Sequence, residues 1–194
     1  MIRFKLNTLA LVGASALLFG CATGNTPEDK KAHAHKEAQS ALSKIVTEHP
    51  QAKTDMNKGV AHLICTGSDS YLFALSSGGG ICELNEGGKL SYWRFASAGA
   101  GAGIGWKKVA YVQIFLNQDA VTRFKEAGFD GQARAEASAK LEDTDSQASA
   151  NQSMDVEGII TYQVNLMGAA AQATVQGFKF WQTDFTEDFV QNAG

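Results

Sequence analysis

Only two prolines occur in 194 residues, cysteine occurs three times, and neither sign of charge dominates, with 17 basic against 20 acidic side chains. Scarce proline beside 20 glycines argues against a disordered linker, which enriches both; sheets that bring backbones close enrich glycine alone. Without residues 1–20, which hold Arg3 and Lys5 and no acid, the 17 basic side chains become 15 against 20 acidic, a balance of −5. A net-acidic chain argues against nucleic acid as the partner. The longest apolar stretch, residues 6–19, is broken by Asn7, Thr8 and Ser15. At about 14 residues it falls short of the roughly 20 that a helix needs to cross a bilayer. What remains is long enough for one ordinary domain with a sizeable core.

Chemistry is equally sparse. No Gly-x-Ser-x-Gly occurs in the body of the chain and no base accompanies a serine, so the sequence points to a protein that is not an enzyme. Gly101 and Gly103 would need a third glycine where Trp106 stands, and a helix after it, to cradle a dinucleotide. Asp143-Thr-Asp145-Ser-Gln147 opens like a calcium loop, but Ala148 fills the position that needs glycine and Met154 that of the bidentate Glu. His33 and His35 stand two apart on an expected helix, about 200° around its axis, and cannot chelate one ion. His49, His62 and the cysteines show no zinc spacing, so no metal and no cofactor is expected.

The N-terminus carries more signal. A basic head (1–5) and the apolar stretch lead to small residues before a cysteine, which reads as a cleaved export signal over residues 1–20. Leu18-Phe19-Gly20-Cys21 resembles the lipobox of bacterial lipoproteins. That resemblance implies lipid transfer to the Cys21 thiol, cleavage before it and acylation of the new amino group, with residues 21–26 as the tether. Two or more acyl chains hold a protein on a membrane where one does not. Ala22 rather than Asp after the cysteine resembles the pattern of lipoproteins sent to the outer membrane, which implies its periplasmic face in a Gram-negative source. Cys65 and Cys82 then form an even pair in an exported chain, suited to a disulfide; two buried thiols on neighbouring strands are the alternative.

In the body, Thr26-Pro27-Glu28-Asp29 supplies an N-cap, a proline at the first helical position and acids facing the dipole. Ala34, Ala38, Ala41, Leu42 and Ile45 repeat at helical spacing, predicting a helix over 27–49, with a second short one from Pro50. From Gly59 the period becomes two, and segments 60–65, 71–75, 81–84 and 90–95 read as antiparallel strands and hairpins. Across 96–106, Gly99, Gly101, Gly103 and Gly105 share one face, while Ala98, Ala100, Ala102 and Ile104 share the other. The bare glycine face suits either a ligand's approach or packing by the N-terminal helix. Residues 109–116 form an apolar strand; Asn117 caps a short helix over 118–127 that Gly128 stops. Residues 133–140 read as a strand, 141–155 as a polar loop, and 159–166 with 169–180 as a last hairpin around Met167-Gly168. Arg94 beside Trp93, and Lys107-Lys108 beside Trp106, offer cations and indoles to a membrane surface. The plainer reading is strand-end aromatics with solvated lysines.

Three stretches carry a family resemblance: Lys58-Gly59-Val-Ala; Gly78-Gly79-Gly80-Ile-Cys-Glu with Gly87 and Trp93; and Ala98-Gly-Ala-Gly-Ala-Gly-Ile-Gly-Trp106. Followed by Val112-Gln-Ile-Phe-Leu-Asn117-Gln-Asp-Ala-Val-Thr-Arg-Phe124, they resemble the SYLF lipid-binding domain in its bacterial form, over residues 50–184, with 185–194 a tail. The resemblance implies an α+β fold: N-terminal helices packed on a strongly curved, barrel-like antiparallel sheet, with one further short helix near 118–127. It also implies a non-catalytic, lipid-anchored protein of the cell envelope that binds phospholipid, with Arg94, Trp106, Lys107 and Lys108 as candidate contacts. The competing expectation is an interaction module for another envelope protein, touching lipid only through its acyl anchor.

Overall fold

The computed structural model describes residues 26–138, 154–156 and 158–186. Cys21 and its tether to residue 25, most of the polar loop and the last residues of the tail lie outside the described residues. The α+β class holds. Helices α1 (Pro27–Glu48) and α2 (Pro50–Met56) precede strands β1 (Ala61–Glu86) and β2 (Lys89–Phe115). Helix α3 (Gln118–Ala127) then leads into β3 (Phe129–Ser138), β4 (Met154–Val156) and β5 (Ile159–Thr183). All pairings are antiparallel, in the order β1-β2-β5-β3, with β4 beside the start of β5. No ladder joins β1 to β3 among the described residues, so the sheet is curved but open rather than closed into a barrel.

Local chemistry sets the helices. The Thr26 hydroxyl accepts from Asp29 N at 3.1 Å while the Asp29 carboxylate accepts from Thr26 N at 3.3 Å, a full capping box, and Pro27 follows at N1. Ala34, Ala38, Ala41 and Ile45 make the buried stripe of α1, as their spacing predicts. At α3, Asn117 Oδ1 accepts from Ala120 N at 2.9 Å and Gly128 ends the helix at φ 56°.

The strands are far longer than their sequence segments. Segments 60–65, 71–75 and 81–84 merge into β1, whose 26 residues would span about 85 Å if straight. It is bent instead: the Cys65 and Cys82 Cα atoms lie 4.0 Å apart and their sulfurs are bonded, as the even pair led us to expect. β2 bends with it, paired to β1 from Phe115 back to Lys89 through the two-residue turn Gly87-Gly88. The expected last hairpin at Met167-Gly168 is absent. β5 runs straight through, because both of its halves pair with β2, and a register shift beside Val109 with Gly168 at φ 85° absorbs the extra residue. The strand expected over 133–140 appears as β3 as far as Ser138, and Met154 and Asp155 of the expected loop belong to β4.

Two cores lie on opposite faces of the same strand segments. One is aromatic and sits inside the bend, where Trp93, Phe95, Tyr111, Phe115, Phe178 and Phe180 surround the disulfide. Phe124 of α3 closes its end, 4.9 Å from Trp93 and 5.3 Å from Phe180 between ring centroids. On the other face Ile45, Ala38, Ala41 and Ala52 of the helices cover Ile64, Val112, Ile114, Tyr162 and Val164. Double coverage is why residues 109–115 are buried without alternation. A polar clasp fixes the helical layer, for the buried Asp55 carboxylate accepts from the Tyr162 hydroxyl at 2.6 Å and from Lys58 Nζ at 2.8 Å. Those bonds, that with Lys58 first, hold Asp55 below the usual carboxylate range despite burial. Burial and the Asp55 charge push the Tyr162 phenol up to about 12.

Two outcomes follow from these contacts. The disulfide closes a loop of 17 residues. Reduction, or Cys65→Ser with Cys82→Ser, should therefore lower unfolding free energy by about 3 kcal/mol in urea titrations. For Asp55→Asn, a lost charged hydrogen bond should cost about 1.5–3 kcal/mol near neutral pH. A depressed folded-state pKa stabilises above the unfolded value and is lost as pH falls through the folded one. A raised phenol stabilises below its unfolded value and is lost as pH climbs toward about 12. The wild-type advantage over Asp55→Asn should thus shrink at both extremes, in melts across pH.

Candidate membrane-contact surface

The bend in β1, β2 and β5 makes an arch, and β3 adds a fourth strand beside residues 172–179 of β5. Its arms meet where Gly67 faces Gly79 and Gly80: a Cβ on Gly80 would strike Thr66 O and lie 2.6 Å from Gly67 Cα. Beyond this pinch, β1 runs out to an apex at Phe73 and returns. Residues opposed across antiparallel strands point to the same side, so the ladders give each face row by row. Outside stand Ser70-Trp106-Ala169, Leu72-Ile104-Ala171, Ala102-Ala173, Leu75-Ala100-Val175 and Ser77-Ala98-Gly177. Every member of these rows is exposed, and the large apolar ones heavily so, with Leu72 at 66%, Leu75 at 69%, Ile104 at 60% and Val175 at 52%.

The inside is polar. Asp69, Ser76, Ser97, Lys107, Gln172, Thr174 and Gln176 are all buried there. Ser97 Oγ donates to Asp69 Oδ1 at 3.3 Å, linking one arm to the other, and Gln176 Nε2 donates to Ser76 Oγ at 3.1 Å. The bare face of 99–105 also points inward, and the N-terminal helix does not fill it. Tyr71 lies against Gly103, its Cβ 3.0 Å from where a glycine Cβ would be, and a Cβ on Gly101 would strike Ala173 O. Apolar outside and polar inside is the reverse of a water-soluble sheet and the arrangement of strands that face lipid.

On the outside, the rows of β1, β2 and β5 carry charge only at the feet of the arch. Beside Trp106, 43% exposed, stands Lys108, whose Nζ lies 3.0 Å from Glu37 of α1. On the other arm Arg94 opposes the exposed Trp181, and Lys179 follows opposite Ala96. The Arg94 guanidinium covers the buried Phe185 ring at 5.7 Å, so packing extends into the expected tail. Indoles and cations at the feet of an apolar surface are what the head-group interface of a bilayer selects. Of the four sequence candidates, Arg94, Trp106 and Lys108 therefore reach the feet, but Lys107 does not. Strand alternation turns Lys107 inward, 3% exposed, with its ammonium 5.5 Å from the Tyr71 ring. Sequence reasoning missed Leu72, Phe73, Leu75, Val175 and Trp181, because which residues flank Ile104 and Trp106 depends on register across strands.

A second polar cluster ties α1 to the sheet away from the arch. His35 Nδ1 lies 2.7 Å from Glu83 Oε2, with Glu83 buried. Burial raises the neighbouring Tyr92 phenol, helped by Glu83. Burial also lowers His62, opposed by the Glu83 charge. Among the described residues no three His, Cys, Asp or Glu side chains group to hold a metal ion, and no helix is long and apolar enough to cross a membrane.

No protein-family model matches the chain. It is 28% identical over 155 residues to beta cell expansion factor A of Aeromonas veronii, an alignment covering 77% of this chain and 56% of that protein. The chain thus spans little more than half the length of the curated relative it matches.

Proposed function

We propose that this chain is a non-catalytic, lipid-anchored protein of the bacterial cell envelope, held by acyl groups on Cys21, whose folded domain binds phospholipid membranes through the outside of the arch. The observation that carries this reading is the inverted polarity of the sheet: a contiguous exposed apolar face over a buried polar interior. Soluble monomers rarely expose apolar surface of this continuity without a partner. The resemblance to bacterial SYLF domains, set by the glycine-alternating segment 98–106, and the lipobox-like residues 18–21 support it independently. The net charge of −5 carried by the chain without residues 1–20 does not oppose it, because cations stand at the arch's feet. If the source is Gram-negative, Ala22 after the cysteine favours the periplasmic face of the outer membrane.

Co-sedimentation of the processed chain carrying Cys21→Ser with neutral and anionic phospholipid vesicles, across a salt series, tests the reading without an acyl anchor. Binding to both is expected, with an anionic preference that fades with salt and an apolar remainder that does not. Ile104→Asp should lower vesicle affinity about 100-fold, the penalty of a carboxylate in the contact, and leave the melting temperature unchanged. Absence of binding under every condition would overturn the reading and assign the same face to another envelope protein.

A further inference from the structure

At the apex, Phe73 is 72% exposed and holds φ 55°, a left-handed backbone that residues with a Cβ rarely adopt. Leu72 and Leu75 flank it, and between Phe73 and Leu75 the register against β2 shifts by one residue. Three large apolar side chains on a bend that favours glycine gain nothing in water; such an outlier points to a partner that rewards it. From the pinch at Gly67 and Gly79, six residues on each arm lead to Phe73, so the apex reaches about 20 Å beyond it. That is less than the roughly 30 Å of a bilayer's hydrocarbon. The outer edge of β1 pairs with no strand among the described residues, and unpaired edge groups are costly anywhere in hydrocarbon, so the edge keeps all but the apex out of it. Reach and edge together limit the arch to a single leaflet.

We infer that the arch enters one leaflet apex first. Leu72, Phe73 and Leu75 lie in the hydrocarbon, Trp106 and Trp181 with their neighbouring cations stay among the head groups, and the Asp69–Ser97 link remains enclosed between the arms. This mode rests on the membrane-binding reading and adds depth and orientation to it. The Cys65–Cys82 disulfide sits below the pinch and holds the two arms together, so the polar interior enters as a closed unit.

The test places one environment-sensitive fluorophore on Phe73→Cys, and in a second protein on Ala96→Cys at a foot, both in the processed chain with Cys21→Ser. The disulfide leaves each protein a single reactive thiol. Vesicles of phosphatidylcholine and phosphatidylglycerol carry a nitroxide either near the acyl-chain end or at the head group. The apex label should lose most of its emission to the deep nitroxide, and the foot label to the shallow one. A label on Leu75→Cys repeats the apex measurement with Phe73 intact. Vesicle binding with all labels quenched by the shallow nitroxide alone would overturn insertion and leave membrane binding standing. No binding would overturn both. An apex label already shielded in vesicle-free protein that sediments as a dimer would overturn insertion and assign the apex to a second copy of the chain.

Discussion

Everything else in this molecule depends on how one long sheet doubles back on itself. Strands of 25 to 27 residues cannot remain flat in a domain of this size, and the bend is possible only where the two arms carry no side chains between them. Gly67 against Gly79 and Gly80 supplies that contact, with backbone meeting backbone, and the Cys65–Cys82 bond fixes it covalently two residues away on each arm. A side chain on either surface would hold the arms apart and open the aromatic core beneath.

Below the pinch the sheet behaves as sheets in water do. Both faces are covered, one by the aromatic cluster and α3, the other by α1 and α2, and the buried Asp55 carboxylate has partners in Tyr162 and Lys58. Above the pinch the rule reverses. Glycines on β2 make room between the arms for Tyr71 and for polar side chains, two of them bonded across the gap, and the other apolar groups are left outside. Close approach of the backbones and outward hydrophobicity are thus two results of one geometry. Such an object is stable in water only because a well-packed base holds it there.

The anchoring of α1 connects these two regions. Glu37 reaches Lys108 at one foot of the arch while His35 meets the buried Glu83 on the opposite arm of β1, so a single helix, capped by Thr26 and Asp29, spans both arms from outside.

Where the signal is local, the sequence by itself determined the outcome. The capping box at Thr26, the alanine stripe of α1, Asn117 and Gly128 around α3, and the alternation of glycine with alanine over 98–106 all depend on neighbours within a few residues, and each stands as its spacing implies. The bond between Cys65 and Cys82 was the favoured of two sequence readings once Cys21 was set aside, and the structure decided for it over two buried thiols. Only the tertiary structure decided that four short strands are two long ones, that Met167-Gly168 is a kink rather than a turn, and that Lys107 points inward while Trp106 points out. It also decided that Leu72, Ile104 and Val175 share one face. Strand continuity and facing are set by register with partners many residues away in the chain, and hydrophobic alternation states that two faces differ without stating which one meets water.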